Sequence, residues 1–163
     1  MKTKLLLCVV TFFSLAFATH AQQADSRLRG TWELQSAKQT TFQNGENKGT
    51  INLQKADLMK ADAQVPQDLF LLLYFFDNNV GACTAGKESS QFMDINEKGT
   101  FSTSGNNLTI KLTKVSLRGD IQVTHNLEYS VQGSRLTINY TLPDTTDTRV
   151  NYQYEMIFNQ TSK

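Results

Sequence analysis

One histidine and four tyrosines carry most of the chemistry that this 163-residue sequence can offer. From Ile121 to Val131 the odd positions read Ile, Val, His, Leu, Tyr, Val, and the even ones Gln, Thr, Asn, Glu, Ser. Alternation of period two marks a strand with one buried face, and it sets His125 and Tyr129 on that face. The same parity turns Tyr140, Tyr152 and Tyr154 inward on later strands. A buried phenol needs a hydrogen-bond partner, and an imidazole changes charge near neutral pH. Two arrangements satisfy both. The groups can bond one another inside a filled core, or serve as polar handles on the apolar wall of a ligand cavity.

Reactive chemistry is otherwise sparse. The chain has no Gly-x-Ser-x-Gly turn, no His-Glu-x-x-His pair and no phosphate-cradling glycine loop. With no visible nucleophile–base pair the sequence points away from an enzyme, and no cofactor is expected. Cys83, in Gly81-Ala82-Cys83-Thr84, lacks an adjacent cation to lower its pKa and reads as a passive buried thiol. Asp77-Asn78-Asn79-Val80-Gly81 is faintly like a calcium loop. Its glycine falls one position early and regular acidic ligands are missing, so a turn is expected. Asn107, Asn139 and Asn159 begin glycosylation-type triplets, which threonine-rich strands produce by chance.

The N-terminus has the three parts of a secretory signal peptide: Lys2 and Lys4, an apolar run from Leu5 to Ala18, and small residues at Thr19 and Ala21. That run is shorter than the roughly 20 residues of a membrane-spanning helix, so no stable membrane anchor is expected. Cleavage after Ala21 would separate a leader (1–21) from a single domain (22–163) and implies a secreted or periplasmic address. The formal net charge of +1 then becomes −1, with 14 Lys and Arg against 15 Asp and Glu. One histidine and one cysteine remain. These counts exclude an internal disulfide, argue against a His/Cys metal cluster, and leave no basic patch for nucleic acid.

The elements that must position these residues are strands. Leu108, Ile110 and Leu112 alternate with Thr109, Lys111 and Thr113; Leu136, Ile138, Tyr140 and Leu142 alternate with Thr137, Asn139 and Thr141. A last run sets Val150, Tyr152, Tyr154, Met156 and Phe158 against Asn151, Gln153 and Glu155. Glycine turns at Ser104-Gly105-Asn106 and Gln132-Gly133-Ser134 separate strands, and the hairpin Phe101–Ile110 is echoed by Tyr129–Ile138. A parity change to Val115 and Leu117 predicts a bulge near Thr113-Lys114. In the first half, Trp32, Leu34 and Ser36 share one face. Gln43–Gly49 reads as a polar loop or hairpin tip, and Leu53, Ala56, Met59 and Ala63 follow helical spacing. The spacing predicts a short helix over Gln54–Ala63. Leu69–Phe76 is an unbroken apolar run, so both its faces are expected to be covered, by that helix or in a homodimer. The pattern predicts an all-β antiparallel meander, closed as a barrel or stacked as a sandwich.

Leu28-Arg29-Gly30-Thr31-Trp32-Glu33-Leu34 resembles the Gly-x-Trp start of lipocalins and of bacterial lipocalin-like domains. The twin hairpins ending in Leu108-Thr109-Ile110 and Leu136-Thr137-Ile138 are also similar to the bacterial group. The likeness implies an up-and-down barrel of about eight strands, with Trp32 closing one end and the other end open to a ligand. Three features depart from it. No clear Thr-Asp-Tyr motif occurs in the second half, no disulfide ties down the C-terminus, and Arg149, the nearest candidate for the late-strand arginine against the tryptophan, has a parity opposite to Tyr152 and Tyr154.

The expectation is therefore a lipocalin-like barrel holding a small, largely apolar ligand. His125, Tyr129, Tyr140, Tyr152 and Tyr154 would line it, Trp32 would close the base, and residues 40–68 would form a loop or lid. Such a site implies an internal cavity of roughly several hundred cubic ångströms. The competing expectation is a protein-interaction or inhibitor module with a filled barrel core, docking through its loops or Leu69–Phe76.

Overall fold

A computed structural model describes residues 24–60, 69–86, 92–114, 119–144 and 146–162. The leader, the far end of the predicted helix and the segment 115–118 lie outside them. The strands are β1 (Gly30–Gln43), β2 (Glu46–Leu53), β3 (Phe70–Phe76), β4 (Asn79–Thr84), β5 (Glu97–Ser104), β6 (Asn107–Lys114), β7 (Ile121–Gln132), β8 (Arg135–Pro143) and β9 (Val150–Ser162). All neighbours are antiparallel in the order β2-β1-β3-β4-β5-β6-β7-β8-β9, and β1 also pairs with β9. Eight strands thus close an up-and-down barrel, with β2 as an additional strand. Closure decides between barrel and sandwich, because pairing β9 with β1 joins the two outer strands of the meander into one ring.

β1 has two neighbours in turn on one side. Gly30–Glu33 pairs with β3, and Ala37–Gln43 pairs with β2. The polar stretch 43–49 is a tight turn at Asn44-Gly45, both with positive φ, inside the β1–β2 hairpin. Much of the expected loop over 40–68 is therefore strand. The helix that follows, α1, spans only Lys55–Leu58; it buries Leu58, and Lys55 forms an ion pair with Glu33. Asp77-Asn78 turns between β3 and β4, with Asp77 in the left-handed region that short hairpin turns require.

The apolar run Leu69–Phe76 divides in two. A register shift between Phe70 and Leu72 lets Leu69, Phe70 and Leu71 all be buried. Past it, ordinary alternation returns: Leu73 and Phe75 face the core, while Tyr74 and Phe76 are 39% and 43% exposed on the outer wall. Coverage of both faces thus holds for the first half only, where the bulge interrupts alternation.

Trp32, Leu34, Leu73, Phe75, Leu108, Ile110, Leu136, Ile138, Met156 and Phe158 are all fully buried and fill one half of the barrel. Phe75 and Phe101 meet edge to face there, with ring centroids 4.7 Å apart. Close packing extends to the backbone at Gly99, where a Cβ would lie 1.7 Å from the carbonyl oxygen of Lys111 on β6. Gly99→Ala should separate β5 from β6 and cost about 1–3 kcal/mol or more in urea unfolding, the range of overpacked cores. Gly133→Ala, with open space at its Cβ, should report only backbone strain.

Candidate functional site

On β7, β8 and β9 exposure rises along the inward face from one end of the barrel to the other, whereas β4 and β5 are still buried at the far end. On β7, Tyr129, Leu127 and His125 are buried, Val123 is half-buried and Ile121 is 56% exposed. On β8, Leu136, Ile138 and Tyr140 are buried and Leu142 is half-buried; on β9, Phe158, Met156 and Tyr154 are buried and Tyr152 is half-buried. Ile51, opposite Gln39 across β1–β2, is 55% exposed. The barrel is therefore packed at one end and, at the other, is exposed on the side of β7, β8, β9 and β2.

The sequence-predicted site residues divide between these ends. His125, Tyr140, Tyr152 and Tyr154 belong to the open half. The His125 ring meets Phe70 edge to face at 5.2 Å, and Tyr140 and Tyr154 stack at 5.3 Å. The Tyr154 hydroxyl donates to Oε1 of Gln39 at 3.2 Å, and burial pushes this phenol's pKa up. At the rim, the Tyr152 hydroxyl donates to Asp144 Oδ2 at 2.7 Å. The Asp144 carboxylate is held well below the usual range, first by the Thr146 hydroxyl and then by Tyr152 and two backbone N–H groups. That turn fixes Tyr152 as part of the wall. At the start of β5, in the same half, Glu97 is buried and accepts from the Thr84 hydroxyl at 3.3 Å.

Trp32 and Tyr129 sit at the packed end and hold a plug. The one-turn 3-10 helix Ser26–Leu28 lies across this base, with Leu28 fully buried. The Trp32 indole N–H donates to the Leu28 carbonyl at 2.6 Å. The Tyr129 hydroxyl donates to Asp25 Oδ2 at 2.9 Å, and the Asp25 N–H donates to the Thr103 hydroxyl at 3.0 Å. Arg27 closes the arrangement with hydrogen bonds of 2.7 to 3.1 Å to the same carboxylate. Arg149 is not part of it; this residue pairs with Asp147 in the turn before β9, at the open end.

Sequence reasoning missed Asp25, Gln39, Glu97 and Asp144. Parity places a residue on a face but says nothing of a partner 104 or 115 positions away, as for Asp25–Tyr129 and Gln39–Tyr154. Glu97 carried one faint signal, since it shares parity with Phe101 two pairs along β5. Among the described residues, no group of three or more His, Cys, Asp or Glu could hold a metal ion. Comparison with protein-family models, curated proteins and solved structures found no match.

Arg27's hydrogen bonds draw the Asp25 carboxyl down to about 2. A folded-state value below the unfolded one means stabilisation that is complete above about pH 4 and lost as the pH falls through about 2. Asp25→Asn should therefore lower the urea midpoint at pH 7. Its deficit relative to the unaltered protein should shrink steadily between pH 4 and pH 2.

Proposed function

We propose that this chain is an exported, lipocalin-like binding protein that takes a small, largely apolar ligand at the open end of its barrel. The observation that carries this reading is the burial gradient on β7, β8 and β9: their inward-facing apolar positions continue past the packed layer and become half-buried or exposed. Ile121, Val123, Leu142 and Ile51 supply the apolar wall, and Tyr152, Tyr154, Gln39 and His125 supply polar groups near it. An apolar wall with a few fixed polar groups is the usual composition of a small-molecule site. The filled base limits the depth, so the ligand rests above the His125–Tyr154 layer instead of reaching Trp32. The activity is carriage, with no catalytic step.

A neutral fluorescent probe such as N-phenyl-1-naphthylamine tests the site. Burying an isoleucine side chain is worth about 1.5–3 kcal/mol, so Ile121→Lys should weaken binding about tenfold or more. Tyr152→Ala should act in the same direction. Ser130→Lys, on the outer face of β7, should leave binding unchanged. Equal affinity in all three variants would sink the assignment.

The exposed pair Tyr74 and Phe76 favours a second use of the wall, as a protein-docking face. Their rings are parallel at 6.5 Å, with Ile95 covering the adjacent Gly81 and the Arg29 guanidinium 5.2 Å from the Phe76 ring. Self-association through this face should appear in sedimentation equilibrium as a dimer that Tyr74→Ser with Phe76→Ser dissociates. A monomer at every concentration would leave only the carrier function.

A further inference from the structure

Strands β7 and β8 share only part of their length. Their ladder runs from Gln132↔Arg135 to Glu128↔Asn139 and stops. Beyond it, β8 continues to Pro143 beside β9, and Ile121–Leu127 of β7 stays beside β6. The wall therefore forks. A cleft of about 530 Å³ lies at the fork, with Leu108, Leu127 and Tyr140 among its lining residues. The remaining lining is almost wholly polar: Asn107, Thr109, Asn126, Asn139, Thr141 and Gln153, with Glu128 as its one ionisable acid. A smaller cleft of about 110 Å³ shares Asn139 and Gln153 and carries on to Lys38 and Glu155. Together they make one groove running from β6 across to β1.

The lining selects a ligand class. A carboxamide presents an acceptor beside two donors, and a hydroxyl does both. Four carboxamides and two hydroxyls thus match a ligand whose neighbouring groups also donate and accept. The Thr109 hydroxyl donates to Asn126 Oδ1 at 3.1 Å, which leaves that amide's N–H donors for a guest. The larger cleft has no lysine or arginine, so a phosphate or sulfate would meet only the Glu128 carboxylate. In the smaller one Lys38 and Glu155 are register partners of opposite sign. An apolar guest would strip the amides of water and leave them unpaired, at a cost of about 1–3 kcal/mol per group.

We propose that the β7–β8 fork is a second binding site, separate from the barrel mouth, for an uncharged polyhydroxylated ligand of the size of a short oligosaccharide. Its vicinal hydroxyls would bond Asn126, Asn139 and Gln153.

The test titrates ¹⁵N-labelled protein with maltotetraose, cellotetraose and chitotetraose, against a sulfated heparin tetrasaccharide. The protein comes from a host that attaches no glycans, since Asn107 and Asn139 begin acceptor-type triplets. At least one neutral sugar should shift the side-chain amide signals of Asn126, Asn139 and Gln153. Asn126→Ala and Gln153→Ala, both at exposed positions, should each weaken that binding about tenfold with the urea midpoint unchanged. Silence with all three neutral sugars at millimolar concentration would overturn the proposal. So would a preference for heparin, or binding that ignores both substitutions.

Discussion

β1 and β9 pair from Thr31↔Ser162 to Gln43↔Val150, joining the two ends of the described domain along the full length of both strands. Without that ladder the chain is an open sheet with two bare edges and an unburied apolar face. With it, the inward side chains of the packed end are buried against one another. The same contact lets the 3-10 helix before β1 lie across the base, since Trp32 and Leu28 are carried on the strand and its approach. Gln160, late in β9, donates from its side chain to the Arg29 carbonyl and ties the two ends at the same point.

Closure has unequal consequences at the two ends. At the base, aromatic and branched side chains from the strands of the ring converge, and hydrogen bonds from Trp32 and Tyr129 fix the plug above them. At the other end two strands part from their neighbours: β1 leaves β3 to pair with β2, and β8 leaves β7. Both departures open the wall on the same half of the barrel. The mouth and the outer groove thus have one structural origin: strands that outlast their partners.

Much of the fold was legible because the side-chain period of a strand is two. The inward set on β6 to β9 could be read from residue types alone, and Gly105 and Gly133 marked the turns between them. Legibility failed where a local event broke the period. The bulge at Phe70–Leu72 concealed that Tyr74 and Phe76 face outward; the stretch around Asn44-Gly45 is the hairpin tip that its polar residues allowed, but the strand β2 that follows it fell within the expected loop. Helical spacing after Leu53 was real but extended well past the single turn of α1.

His125 and the four tyrosines were placed correctly on inward faces by the sequence, as was Trp32 at a closed end through the resemblance it carries. Parity sorts faces, yet it has no coordinate along the barrel axis, so Tyr129 and Tyr152 looked equivalent. Strand register put one beside Asp25 at the base and the other beside Asp144 at the rim. Sequence therefore determined which residues point inward, through local alternation. Only the tertiary structure decided how deep each lies and what it bonds, because those depend on strand register and on partners as distant as the 104 positions between Asp25 and Tyr129.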